Sequence, residues 1–330
     1  MKTATSEKRA THRPVLRRKP DKVRARKFSV RKLLVPVDFS EPSLVAIGYA
    51  SAVATRLGAE LNLVHIVEPL PPFVGTGDIP VFVSDPEIGM RARQHLRNVA
   101  NVHGLPLRPE HIHVNEGHAF EEICRLARKL DIDLIVIPTR GHTGLKHLAL
   151  GSTAESVVRY SPCPVLVLRA NLESGTHVKL PAALPSFRKI VAPIDFSDCS
   201  MKGMVYAKNL ASEFGSTLVL LHLVHLQYYV SNDEYARYDF PMVFAELEKA
   251  ERNQMRDLVR NTDWQGLKVV SSVEIGHPGQ QICNCAKDRG ADLIVTATHG
   301  RTGFAHVFLG STAEFVVRHA HCPVLVVPAR

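Results

Sequence analysis

Unbroken apolar runs alternate with stretches of helical spacing along most of this chain. Residues 33–37 form an apolar run, 44–57 carry apolar positions at helical spacing that stop at Gly58, and 61–67 are apolar again. The alternation continues with a helix over 91–103, a strand over 111–114, a helix over 120–130, a strand over 134–137, a helix over Ser152–Tyr160 and a strand over Val165–Leu168. Short apolar runs bounded by turns predict strands buried on both faces, and the intervening segments predict covering helices. This order predicts an α/β fold with a parallel sheet between two helix layers and right-handed crossovers.

The whole pattern occurs twice. Gly141-His-Thr-Gly-Leu-Lys-His-Leu-Ala-Leu-Gly-Ser-Thr-Ala-Glu155 returns as Gly300-Arg-Thr-Gly-Phe-Ala-His-Val-Phe-Leu-Gly-Ser-Thr-Ala-Glu314, an offset of 159. Val35-Pro-Val-Asp-Phe-Ser40 returns as Ala192-Pro-Ile-Asp-Phe-Ser197, an offset of 157, so copy two has gained two residues between these points. A fixed-offset repeat of this length means one folding unit used twice. The predicted limits are a basic tail over 1–29, domain one over 30–169, a Gly- and Pro-containing linker over 170–187, and domain two over 188–330, with each domain long enough to bury its own core.

In doubly wound sheets, ligands sit beyond the carboxyl ends of the strands where the strand order reverses. Asp38 and Asp195 follow the first strand of each copy, and the glycine-rich turns follow the fourth. Gly141, Gly144 and Gly151, like Gly300, Gly303 and Gly310, let backbone amides approach a polyphosphate at the amino end of a helix, with Ser152 and Ser311 adding hydroxyls. Ser152-x-x-Glu155 and Ser311-x-x-Glu314 also fit capping boxes, which would give these residues a purely structural job.

As a set, these residues resemble the universal stress protein family. They are Pro36-Val-Asp38, Pro193-Ile-Asp195, the Gly-x₉-Gly-Ser runs from Gly144 to Ser152 and from Gly303 to Ser311, and the Cys-Pro-Val-Leu-Val ends. The resemblance implies tandem five-stranded domains of the adenine-nucleotide α-hydrolase-like kind. It also implies a stress-response role with ATP or a related adenine nucleotide as ligand, and Mg²⁺ accompanying it near Asp195 rather than in a protein cage. The implied site in copy two comprises Pro193, Ile194, Asp195, Leu223, Ala297, Gly300, Gly303, Gly310, Ser311 and Thr312. Its weaker counterpart comprises Pro36, Val37, Asp38, Ile66, Pro138, Gly141, Gly144, Gly151, Ser152 and Thr153. The family's first glycine falls on Pro138 in copy one and Ala297 in copy two; proline removes an amide donor where alanine keeps it. Copy two is therefore the better candidate site. A nucleotide-free scaffold acting through a pseudo-dimer, with the last strands of the two copies meeting, is the alternative.

Composition narrows the classes. No P-loop and no Ser-His-Asp arrangement occurs, and no general base or arginine finger can be picked out, so the chain is at most a slow ATPase and reads rather as a non-enzymatic binding protein. His65 and His222 read as hydrogen-bonded structural residues, and His147 and His306 as packing residues. His319-x-His321-Cys322 lacks a counterpart in copy one and reads as surface variation. Four of the six cysteines, Cys124 with Cys283 and Cys163 with Cys322, fall at equivalent positions. They read as small core residues in a reducing, cytoplasmic setting. The first 32 residues hold thirteen Lys and Arg against Glu7 and Asp21, a net of +11 when the whole chain carries +9. The tail reads as a solvated arm open to weak, salt-sensitive binding of nucleic acid or an anionic surface. No apolar run approaches a membrane span, so the expected partners are an adenine nucleotide and another protein or a second copy.

Overall fold

The computed structural model describes residues 29–69, 87–105, 107–139, 150–169, 187–224, 236–300 and 309–329. The basic tail, nearly all of the linker, Gly141, Gly144, His147, Gly303 and His306 lie outside them. Copy one runs β1 (Lys32–Pro36), α1 (Glu41–Leu57), β2 (Glu60–Val67), α2 (Ile88–Val102), β3 (Ile112–Glu116), α3 (Ala119–Lys129), β4 (Leu134–Pro138), α4 (Ser152–Tyr160) and β5 (Val165–Leu168), with one 3₁₀ turn at Pro109–His111. Copy two runs β6 (Lys189–Ile194), α5 (Asp198–Phe214), β7 (Thr217–Val224), α6 (Ala236–Asn261), β8 (Val269–Ile275), α7 (Pro278–Asp288), β9 (Leu293–Ala297), α8 (Ser311–His319) and β10 (Val324–Val327). Gly58 and Gly215 close α1 and α5 at φ 64° and 68°, a left-handed position that glycine takes without steric cost.

The strands form one sheet in the order β3-β2-β1-β4-β5-β10-β9-β6-β7-β8. Alternate side chains of each strand feed opposite cores. Leu33 and Val35 join Ile47 of α1 and Leu96 of α2 on one face, while Leu34 joins Ile123 of α3 and Val157 of α4 on the other. Strands β4, β5, β9 and β10 are buried along their whole length, as expected of central strands covered on both sides.

All pairings within a copy are parallel; the copies meet where β5 and β10 pair antiparallel. The register is Val167 with Val324, Leu166 with Leu325 and Val165 with Val326. With the repeat offset of 159, Leu166 faces its own equivalent, so a pseudo-two-fold axis passes through that pair. The expected meeting of the final strands is present. Reciprocal contacts follow from the symmetry: burial raises the Tyr49 phenol pKa, with Cys322 and Asp292 adding to the effect, and the Tyr206 phenol responds in the same way to burial, Cys163 and Asp133. Arg318 reaches Glu155 of copy one at 3.0 Å as well as Glu314 at 2.9 Å, and Arg169 donates to the carbonyl of Ala320 at 2.8 Å.

Two expectations need correction. Phe187, placed in the linker by its neighbours in sequence, is 3% exposed. Its ring lies 4.8 Å from Phe214 and 6.3 Å from Tyr49 of copy one, so apolar burial at the junction outweighs the turn-forming composition around it. The capping boxes, the structural alternative for the two serines, do not form. Gly151 and Gly310 are the N-caps, the serines are already inside the helix, and Glu155 and Glu314 pair with Arg159 and Arg318 one turn on. Ion pairing along the helix has taken the glutamates from the capping role.

Candidate functional site

The sharp turn after β6 aims Asp195 at the switch point, where the sheet order passes from β9 to β6 to β7. Phe196 takes φ 61° and Phe39 φ 63° in the equivalent turn; a left-handed aromatic residue in both copies is backbone strain held by the surrounding fold. The Asp195 Oδ1 atom accepts from the Ser197 amide at 3.0 Å and its hydroxyl at 2.5 Å. Asp38 is held alike by Ser40. Ser197 Oγ in turn accepts from the Ser200 amide at 3.2 Å, capping α5.

A cavity of about 180 Å³ opens at this carboxyl edge in copy two. Pro193, Ile194, Asp195, Leu223, Ala297, Gly300, Gly310, Ser311 and Thr312 all line it, although they come from four separate segments. Two glycines there make close approaches. A Cβ on Gly300 would sit 2.5 Å from Asp195 Oδ2, and one on Gly310 would sit 3.1 Å from the Thr298 carbonyl. The Gly310 amide also donates to that carbonyl at 2.8 Å, which folds the turn so that the amino end of α8 opens toward the cavity.

The direction of one amide follows from the ladder. The amides of Ile294 and Thr298 donate to the carbonyls of Pro323 and Val327 on the β10 side. Successive amides of a strand in a parallel sheet point to opposite neighbours, so the Ala297 N–H points to the β6 side. There the recorded β6 to β9 pairing extends only over Ile190 with Leu293 and Val191 with Ile294. In copy one Ile135 and Thr139 bond toward β5 in the same way, which puts Pro138 at the equivalent place with no N–H to offer. Pro36, Val37, Asp38, Ile66, Gly151, Ser152 and Thr153 occupy the corresponding strand ends and turn. A Cβ on Gly151 would lie 3.4 Å from the Thr139 carbonyl, a looser fit than at Gly310.

The cavity also takes in Thr298 and His299, which precede Gly300 in sequence and are expected to add donors, and His222 and Glu251, which the sequence did not single out for binding. Nδ1–H of His222 donates to the Ile194 carbonyl at 2.7 Å, as His65 does to Val37. This is the structural role expected of both, but His222 also lies 3.4 Å from Glu251 on the cavity wall. His299 Nδ1 meets the Thr298 hydroxyl at 2.9 Å. His319 is not part of the site; it stacks on Phe315 at 4.0 Å. Among the described residues no group of three His, Cys, Asp or Glu is placed to hold a metal. The thiols are core groups: burial pushes Cys124 and Cys283 up to about 11, and Cys163 and Cys322 up to about 12.

Fold and cleft define a class first: a tandem, doubly wound α/β protein with a ligand-sized crevice at the switch point of its second unit. The universal stress protein family model matches residues 29–169 and again 186–328, and the chain belongs to that family. A universal stress protein of Mycolicibacterium smegmatis is 27% identical over 314 residues, spanning 90% of this chain and 97% of that one. The universal stress protein MJ0531 of Methanocaldococcus jannaschii is 35% identical over 143 residues, 43% of this chain and 82% of that one. The crystal structure of a universal stress protein from Archaeoglobus fulgidus superposes with TM-score 0.64 at 20% identity, covering 92% of this chain and all of that one. Among the described residues no helix is long and apolar enough to cross a membrane.

Proposed function

We propose that the second domain, residues 188–330, binds ATP or a related adenine nucleotide and that this binding regulates the association of the protein with a partner. The observation that carries the reading is the convergence of Asp195, Gly300, Gly310, Ser311 and Thr312 on one cavity, with both glycines in close contact with their surroundings. The donor set suits a polyphosphate: the α8 amino end, the hydroxyls of Ser311 and Thr312, and the Ala297 amide offer hydrogen bonds to anionic oxygens. Asp195 would face the ribose or a Mg²⁺ carried in on the phosphates, since Mg²⁺ is commonly held by one or two carboxylates plus substrate oxygens. Hydrolysis, where it occurs, is slow, because among the described residues lining the cavity none is an arginine placed as a finger.

The scaffold reading has its own support in the continuous ten-stranded sheet, which makes a pseudo-dimer out of one chain. Mass spectrometry of small molecules released from freshly purified protein, followed by calorimetric titration with ATP, separates the two. An adenine nucleotide in the eluate and one dominant site per chain is the expected result. No released nucleotide and no heat on titration would leave the scaffold.

A further inference from the structure

The cavity wall formed by β7 and α6 carries a feature that copy one lacks. Glu251 is 9% exposed and His222 is 2% exposed, and both line the cavity. A buried carboxylate is costly unless it is paired. The His222 ring is fixed by the Ile194 carbonyl, which can only accept, so Nδ1 carries its hydrogen and Nε2 faces Glu251 Oε2 at 3.4 Å. Through this contact the histidine positions Glu251 at the wall. In copy one His65 keeps the same carbonyl bond and the same aromatic neighbour, Phe39 at 4.6 Å where Phe196 lies 4.7 Å from His222, but there Phe39 stacks on His95 at 4.1 Å. Helix α2, Ile88–Val102, contains no Asp or Glu at all.

Polar groups follow an order along the crevice. The α8 amino end lies beyond β9, Asp195 follows β6, and His222 and Glu251 stand by β7, the next strand over. Adjacent strands are about 4.8 Å apart, so the crevice spans roughly 10 Å from the phosphate-sized turn to the β7 wall. A nucleotide with its phosphates at α8 and its ribose at Asp195 presents its base to Leu223 and Glu251.

We propose that Glu251, positioned by His222, is the base-selecting residue of this site and accepts a hydrogen bond from the exocyclic 6-amino group of the purine. The inference rests on the nucleotide reading of the cleft. An ionised acceptor in a buried setting makes a strong hydrogen bond to such an amine, and a purine lacking it leaves the carboxylate without that bond. The test is calorimetric titration of the full chain with ATP and with purine riboside triphosphate, which lacks only the amino group, repeated on Glu251→Ala with circular dichroism as the check on folding. The unaltered protein should bind ATP about tenfold to a hundredfold more tightly than the analogue, the range expected for one hydrogen bond to a charged group. In Glu251→Ala the two ligands should bind within about threefold of each other, equivalent to well under one charge-assisted hydrogen bond. A near-equal affinity of the unaltered protein for both ligands would overturn the proposal without any variant. So would a folded Glu251→Ala that keeps the wild-type ratio. Binding of neither triphosphate by the unaltered protein would remove the nucleotide reading itself, and base selection with it.

Discussion

The two copies share a fold down to the strained Phe39 and Phe196 turns, yet they differ at three points around the switch-point crevice. The fourth strand ends on Pro138 in one and Ala297 in the other; the wall helix carries no acid in one and a buried Glu251 in the other; and a Cβ added at the glycine N-cap would stand 3.4 Å from the facing carbonyl at Gly151 but 3.1 Å at Gly310. Apart from the Pro138 and Ala297 strand ends, these changes lie outside the strand interiors, which are mainly apolar in both copies. Duplication has thus left the scaffold intact and concentrated the difference in the groups that would meet a ligand. The junction reinforces this separation, because Leu166 against Leu325 ties the copies through their most buried strands and leaves both crevices at the open carboxyl edges.

The largest effect should come from filling the turn. Gly310→Val puts a branched side chain against the Thr298 carbonyl and should weaken adenine-nucleotide binding by about a hundredfold or more, a loss of several hydrogen bonds to phosphate. The matching Gly151→Val should cost much less overall binding. Titration calorimetry of both variants, with circular dichroism for folding, checks the pair; a greater loss from Gly151→Val would reverse the proposed asymmetry.

Converting copy two toward copy one should have a smaller effect. Ala297→Pro removes only the amide that points to the β6 side, and proline is already accommodated at the equivalent Pro138 in β4. The expected loss of affinity is about tenfold to a hundredfold, the worth of one hydrogen bond to a charged oxygen at roughly 1.5–3 kcal/mol. Thermal melting should change little. Unchanged affinity in a folded Ala297→Pro would mean that this amide takes no part in binding.

The smallest difference should appear on acidification. His113 of β3 is held below its ordinary value of 6.5, first by burial and then by Arg93, His111 and Lys129; its Nε2 sits 3.2 Å from Asn62 Oδ1. The equivalent position in β8 is Ser272. With the folded-state value depressed, the unfolded chain binds the proton more readily, so this contribution to stability is present above pH 6.5 and is lost as the pH falls through 6.5 toward the lower folded value. Hydrogen exchange between pH 7 and pH 5 should therefore show β3 losing protection before β8, and His113→Ser should reduce the gap. Equal loss in both edge strands would show that His113 does not set the difference.

How far the site was legible in the sequence depended on which signals repeat. The strand and helix over Val165–Leu168 and Ser152–Tyr160 are the same in sequence and structure, because buried apolar runs and a glycine-bounded turn leave little choice of local conformation. The glycines and Asp195 could be paired in advance since each occurs twice at a fixed offset. Glu251 could not, because it lies in a long charged helix, Ala236–Asn261, among Glu246, Glu248 and Asp257. Only packing against β7 distinguishes it from its solvated neighbours. A signal was available in retrospect: copy one has no acid in α2, and a difference between otherwise parallel helices marks where the copies have parted.

The sequence by itself determined the duplicated α/β unit, its family and the turns that face the crevice, since periodicity, glycine placement and repetition are local properties of the chain. Tertiary structure alone decided the antiparallel register centred on Leu166 and Leu325, the burial of Phe187, the failure of the capping boxes and the pairing of His222 with Glu251. Each of these joins residues far apart in sequence or sets one local preference against another, and only the packed structure decides which contact prevails.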